Sequence, residues 1–214
     1  MSDTIKKLVK ESEWTRVFKI GDQEKYLYES KFLMDDLHVS STTLKQRWPS
    51  LSLNEKVEFS TSFSSQPPRD AEDSEILQFL MEKGPQEVWR NIAILLPFHP
   101  RPDEARTFLL MCLNQDPQSR ANYYQAIALL NDTNTVPALR SQFEEYQAKL
   151  ASNPSQNSEF WSDYIQCTNA LWTLTRDSMF FSTIKESVKK APRELQAYIK
   201  NLLQQVEGKN GGTG

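Results

Sequence analysis

The sequence predicts an all-α chain in which about four to five helical hairpins stack into a right-handed α-solenoid. Hydrophobic residues recur every three or four positions from about residue 54 onward, which is the spacing of one helix face. Polar or proline-rich turns join these segments into pairs. The paired unit repeats at about 34 residues, a period typical of stacked helical repeats.

One segment shows the helical spacing most clearly. Steps of three and four residues place five hydrophobic side chains on one face, and these are Val136, Leu139, Phe143, Tyr146 and Leu150. Pro137 falls in the first turn, where its missing N–H has no partner within the helix. Asn134 or Thr135 can cap this end. A helix is therefore predicted over 136–150.

The same unit is predicted on either side of this segment. The helix pairs are 54–63 with 73–81, 88–96 with 103–113, 121–128 with 136–150, and 160–174 with 181–188, followed by a last helix over 192–206. Three prolines are expected to keep 97–102 out of helix.

The predicted organisation has three parts, a capping segment over 1–53, a repeat domain over 54–206 and a disordered tail over 207–214. Residues 13–20 fit a short strand or an irregular piece, and that choice stays open.

One repeat carries a family resemblance. Asp116-Pro117 opens its first helix, an Ala126-x-x-x-Leu130 stretch packs that helix, and Asp132 precedes Val136-Pro137-Ala138-Leu139. Residues 116–150 therefore resemble the HEAT repeat, while 88–113 and 170–177 match loosely and 1–53 do not match. The resemblance implies a scaffold that binds a macromolecule along a groove.

Composition and charge restrict the class of partner. The chain has 214 residues and a formal charge of −3, which disfavours the nucleic-acid backbone as its main partner. Residues 69–150 hold 8 basic and 12 acidic residues, so the middle of the chain is its acidic part. Neither a membrane-spanning apolar run nor a secretory leader is evident, and only two cysteines occur, so we expect a cytoplasmic protein.

Catalytic signatures are missing from the sequence. It contains neither a glycine-rich phosphate loop nor a Gly-x-Ser-x-Gly elbow, and neither His38 nor His99 has a second ligand at metal-binding spacing. Cys112 and Cys167 are interpreted as core residues. The acidic cluster over 70–75 is interpreted as complementing a helix dipole. We expect no cofactor, metal, small-molecule substrate or catalytic residue.

Two surfaces are candidates for partner binding. Six consecutive apolar residues over 108–113 cannot share one helix face, so this helix is either buried on two sides or exposes a patch. On 136–150, the side opposite the hydrophobic stripe is polar. The candidate partner-binding residues are Arg106, Leu110, Met111, Arg140, Glu144, Glu145 and Gln147.

The function predicted from these features is non-catalytic protein binding, with a basic protein as partner because complementary charge directs association. Short solenoids of this kind resemble bacterial adaptor or immunity proteins, and an immunity protein against a basic nuclease-type toxin fits the size and charge.

Two alternatives stay open, each suggested by resemblance. DNA-alkylation-repair glycosylases are built on HEAT-like repeats, and here Trp161, Asp163 and Trp172 would supply the aromatic cleft and the catalytic acid.

A run of basic residues could contact nucleic acid, although a solvated helix face is the simpler interpretation. The run comprises Lys185, Lys189, Lys190, Arg193 and Lys200. Some HEAT-like proteins are pigment lyases or chaperones, but no residue here supports that function.

Overall fold

The computed structural model describes residues 40–65, 67–68 and 70–204 with their side chains, and residues 16–20, 25–29 and 205–210 as backbone. Two strands, β1 (Arg16–Ile20) and β2 (Lys25–Glu29), pair antiparallel in the backbone-only part. The rest of the predicted capping segment before residue 40, including His38 and residues 13–15, lies outside the described residues. All regular structure from residue 40 to residue 210, within the described part, is helical.

The chain divides into two compact units, Met1–Ala105 and Arg106–Gly214. The first unit contains four α-helices in its described part, namely α1 (Ser41–Arg47), α2 (Leu53–Phe63), α3 (Ala71–Lys83) and α4 (Gln86–Ile92). Helix α5 (Pro102–Gln115) contains the boundary between the units. The predicted division at residue 53 remains a prediction.

Local capping explains where the helices of the first unit begin. Ser52 and Glu55 form a capping box at the start of α2. The Asp70 carboxylate accepts the backbone N–H of Asp73 at 2.9 Å and caps α3. The acidic cluster therefore starts a helix, as its sequence indicates. The described residues contain no group of acidic, histidine or cysteine side chains arranged for a metal ion.

Helix pairing in the first unit differs from the predicted hairpins. The predicted pair was 54–63 with 73–81, whereas α2 packs most closely on α4 and α3 packs on α1 and α4. The Asn91 side chain of α4 donates to Ser60 Oγ of α2 at 2.8 Å. Gly84 permits the tight passage from α3 into α4, because a Cβ there would lie 2.4 Å from the Leu80 carbonyl oxygen.

The proline-rich segment also differs from the prediction. Residues 97–102 were expected to be a non-helical turn, but a 3₁₀-helix covers Ala93–Phe98 and includes Pro97. Helix α5 then starts at Pro102 itself. A proline is tolerated in a first helical turn, and the tighter 3₁₀ turn accommodates another here.

The second unit continues from α5 with five helices, namely α6 (Arg120–Leu130), α7 (Val136–Ser152), α8 (Ser158–Thr175), α9 (Ser178–Lys190) and α10 (Arg193–Asn210). The predicted helices are confirmed, each ending within four residues of its predicted bounds. Asn131 and Arg176 adopt left-handed backbone conformations with φ of 54° and 56° where α6 and α8 end. Residues 211–214 of the predicted tail lie outside the described residues.

Helix α8 is the centre of the second unit. Helices α6, α7, α9 and α10 all pack on it. Its buried residues occupy every side of the helix, among them Trp161, Tyr164, Ile165, Cys167, Ala170, Leu171 and Trp172. On α7, Leu139, Phe143 and Tyr146 are buried and Val136 and Leu150 are half-buried, which confirms the predicted stripe.

Phe143 joins three helices of this core. Its ring stacks on Tyr164 of α8 at 5.7 Å between centroids and meets Phe180 of α9 edge to face at 5.2 Å. We expect Phe143→Ala to lower the free energy of unfolding by about 3–5 kcal/mol, since it leaves a cavity among buried rings. Glu145→Ala, on the exposed side of the same helix, should change it by less than about 0.5 kcal/mol. Urea denaturation measures both, and equal effects of the two changes would contradict this packing.

Candidate partner-binding surface

A cleft with a volume of about 560 Å³ lies among α7, α8 and α9 in the second unit. Helix α8 supplies two buried aromatic side chains to it, Trp161 and Tyr164. Their rings meet edge to face at 5.8 Å, so each restrains the other. The cleft therefore has a rigid aromatic base.

The side of the cleft formed by α7 is part apolar and part polar. Leu150, Ala151 and Gln147 line it, together with Pro154 from the loop that follows α7. Burial raises the pKa of the Tyr164 hydroxyl, and a hydrogen bond with the Gln147 side chain opposes that rise. The Gln147 amide is therefore held beside the aromatic base.

The side formed by α9 carries the charges of the cleft. Glu186 and Lys190 both line it and form an ion pair at 3.1 Å, with 68% and 65% of their side-chain surfaces exposed. Thr183 and Ser187 also line the cleft, but their hydroxyls donate to backbone carbonyls one turn back on α9. Glu186 and Lys190 are therefore the groups of α9 best able to exchange partners.

Helix α7 presents two unpaired carboxylates. Glu144 and Glu145 are exposed, and neither forms an ion pair or a hydrogen bond with any described residue. Because a helix turns by about 100° per residue, Glu144 lies on the same flank as Gln147 while Glu145 points away from it. Both carboxylates remain open to a cationic partner.

Arg140 lies on the cleft flank of α7 but is engaged within the chain. Its guanidinium lies 3.7 Å from the Asp177 carboxylate and 5.2 Å from the centre of the Phe180 ring. Both contacts connect the start of α7 to the start of α9. Arg140 thus positions the two helices and neutralises Asp177.

Arg106, also predicted to bind a partner, forms an ion pair within the second unit. Its guanidinium lies 2.5 Å from Asp132 in the turn between α6 and α7, and both side chains are mostly buried. Burial favours a raised pKa for Asp132, but hydrogen bonds from Asn134 and the ion pair with Arg106 outweigh it and lower the pKa. Arg106 therefore fixes this turn.

The apolar candidates on α5 are half-buried. Leu110 and Met111 are intermediate in exposure, between Leu109 and Cys112, which are fully buried. The predicted partner-binding residues therefore do not form one surface. Three of them lie on α5, where Leu110 and Met111 are half-buried and Arg106 is paired with Asp132. The other four lie on α7. Only Gln147 of that set lines the cleft.

Both cysteines are core residues, as predicted. Burial raises the pKa of the Cys112 thiol to about 12, and it raises that of Cys167 further still. Neither thiol is ionised near neutral pH.

The residues of the glycosylase interpretation do not share one cavity. Trp161 lines the cleft, whereas Asp163 and Trp172 do not belong to its lining. The Asp163 carboxyl is buried, and it lies near the backbone N–H of Ala121 at the start of α6. Arg176 lies 4.5 Å from the centre of the Trp172 ring. Asp163 and Trp172 thus have contacts within the fold.

His99 is buried, although its position among prolines indicated an ordinary turn residue. Its Nδ1 accepts the backbone N–H of Arg101 at 3.2 Å, which leaves Nε2 to donate to Gln78 Oε1 at 2.9 Å. Hydrophobic spacing carries no signal for this contact, because the contact joins the end of a 3₁₀-helix to α3.

From the sequence, Trp161 is a candidate for the glycosylase alternative, and Lys190 is interpreted as part of a solvated helix face. Both side chains line the cleft. The available signal was the long polar loop over 153–157, which lengthens this repeat. A loop's length does not reveal where it leaves space between helices.

Comparisons with known protein families, with curated proteins and with solved structures found no significant match to this chain. Within its described residues, no helix is both long enough and apolar enough to span a membrane.

Asp163 should make stability depend on pH. Burial raises the pKa of its carboxyl to about 6, and Glu159 adds to the rise while Arg120 opposes it. The folded chain therefore binds this proton more tightly than the unfolded chain, so the contribution of Asp163 to stability is largest near pH 4 and is lost as the pH rises through 6. Asp163→Asn should gain stability relative to the unaltered chain between pH 4 and pH 7, by up to about 3 kcal/mol.

The measurement is urea denaturation of both chains across this pH range, and it uses their difference because other carboxyls titrate in both. A difference that stays constant with pH would contradict the raised pKa.

Proposed function

We propose that this chain is a non-catalytic protein-binding scaffold whose α7 surface binds a basic protein. The observation that carries the proposal is the pair of exposed carboxylates, Glu144 and Glu145, that have no cationic partner among the described residues. An ion pair formed with a partner would replace no existing contact of these two carboxylates with a described residue. Complementary charge of this kind chiefly accelerates and directs association.

The directions of alternate helices in the second unit support a scaffold role. Ala121 of α6 contacts Asp163 of α8, and Tyr124, one turn later, lies near Cys167, so these helices run parallel. On α7 and α9, Arg140 contacts Asp177 and Phe143 contacts Phe180, so these helices also run parallel. Parallel packing of every second helix is what successive HEAT-like hairpins would produce. We extend this to a stack of HEAT-like hairpins within the second unit.

The partner class follows from charge and size. An adaptor or an immunity protein that covers a basic, nuclease-type protein would use an acidic face on a small helical scaffold. Such a protein needs no cofactor and no catalytic group, and a cytoplasmic location suits the proposal. Protein binding, rather than DNA repair, is favoured because Asp163 and Trp172 are engaged within the fold.

Charge reversal on α7 tests the proposal. Glu144→Lys with Glu145→Lys should leave the free energy of unfolding within about 1 kcal/mol, since both side chains are exposed. The immobilised chain should enrich a basic protein from its native cell extract. The double variant should lose that protein, and its association rate with the purified partner should fall, with a smaller effect at high salt.

The matched control is Glu82→Lys with Glu87→Lys, which makes the same net charge change on exposed residues of the first unit. It should retain the partner. Equal losses in both double variants would show a general charge effect and would contradict a site on α7.

DNA binding distinguishes the scaffold from a repair enzyme. Affinity for duplex DNA, including duplexes with abasic or alkylated bases, should be no tighter than the non-specific range of about 10⁻⁴–10⁻⁶ M at physiological salt. Fluorescence anisotropy measures it. Tight binding to a lesion that is lost in Asp163→Asn would reverse the choice.

A further inference from the structure

We propose that the cleft among α7, α8 and α9 is the anchor site for an arginine side chain of the partner. This inference rests on the proposed function, which supplies a basic partner, and adds the residue type and the place where it binds. The cleft volume of about 560 Å³ is within the range of protein sites for small ligands. A single long side chain fits it.

The apolar part of the cleft suits the stem of an arginine. Leu150, Ala151 and Pro154 line one side, and the aromatic base of Trp161 and Tyr164 is buried and rigid. Arginine buries its methylene groups along apolar surface while its charged end remains near water. Its guanidinium is also more weakly hydrated than the ammonium of lysine, so it enters such a site at a lower cost.

The polar part offers acceptors for the guanidinium. Glu186 supplies a carboxylate, which a guanidinium can engage through two parallel hydrogen bonds. The Gln147 side chain lines the same cleft, beside Tyr164 of the aromatic base. These groups lie on facing sides of the cleft, on α9 and α7.

In the free chain, Lys190 forms an ion pair with the Glu186 carboxylate, and this ion pair is weak. Both side chains are about two-thirds exposed, and exposed pairs of this kind contribute little to stability. A bidentate guanidinium can therefore displace the single ammonium. Lys190 thus pairs with Glu186 only in the absence of a bound arginine.

The charge on the α7 side of the cleft favours a cation over an anion. Glu144 lies one turn from Gln147 on the same flank of α7 and is unpaired, whereas Arg140 on that flank is neutralised by Asp177. With Glu186 paired to Lys190, Glu144 leaves a net negative charge beside the opening. A basic partner steered to α7 thus arrives next to the cleft.

Peptide binding tests this inference without knowledge of the partner. The probes are fluorescently labelled oligoarginine and oligolysine peptides of equal length, measured by fluorescence anisotropy against the full chain. Oligoarginine should bind at least about tenfold more tightly than oligolysine, because only the guanidinium forms the two parallel bonds. Equal affinities would overturn the inference.

Three variants locate the binding. Ala151→Trp fills the cleft from an exposed position, and Glu186→Gln removes its carboxylate; each should abolish the preference for oligoarginine. Ala138→Trp, exposed in the first turn of the same helix and outside the cleft, should preserve it. Unchanged preference in Glu186→Gln would overturn the inference even if Ala151→Trp failed to fold.

The outcomes also separate this inference from the proposed function. Suppose that Glu144→Lys with Glu145→Lys lowers the affinity for both peptides equally, while the cleft variants have no effect. Then α7 binds basic partners, and the assignment of the cleft as an arginine site is wrong. If neither peptide binds at low salt, both proposals fail. A peptide that binds only the Glu186→Gln chain would indicate that the cleft excludes cations, which also overturns the inference.

Discussion

The second unit depends on the burial of helix α8 on all sides. Four helices pack on it, and its residues from Trp161 to Leu174 include eleven buried side chains counting Asp163, Gln166 and Thr168. A helix that is apolar on one face can lie at a surface, but a helix buried all round needs neighbours on each side. Helices α6, α7, α9 and α10 supply these neighbours. The positions of the cleft and of the α7 carboxylates follow from this one constraint.

Burial of α8 also separates the packing side of α7 from its charged side. Phe143 and Tyr146 contact Tyr164 of α8 and are almost fully buried, while Glu144 and Glu145 between them are exposed. Because adjacent helix residues point in directions about 100° apart, one helix can anchor the core and present charge. Asp163 is the exception on α8, because it is a buried carboxyl and its burial raises its pKa.

The sequence was sufficient to predict most helices, because their hydrophobic spacing is local information. It located α7 and its stripe, and it identified the acidic cluster over 70–75 as the start of a helix. It did not reveal α1 or the pairing of α2 with α4, because pairing depends on distant contacts such as that of Asn91 with Ser60. Capping hydrogen bonds were predictable, but the partners of Arg106 and His99, which lie more than twenty residues away, were not.

Site residues were predictable only as exposed or buried. Helical periodicity correctly predicts that Glu144, Glu145 and Gln147 are exposed and that Trp161 is buried. It could not show that Gln147, Trp161 and Glu186 meet at one cleft, since they belong to three helices whose spacing depends on the intervening loop. The same limit applies to Arg140, whose exposure is evident from the pattern but whose partner Asp177 is not.

Hydrogen–deuterium exchange with oligoarginine bound to the full chain tests the central claim most directly, because it locates a cationic ligand without altering any residue. Protection is expected in the second half of α7 and in α9, with the slowest amides of the second unit in α8 whether or not the peptide is present. Protection confined to the first unit or to α10, or rapid exchange throughout α8, would contradict it.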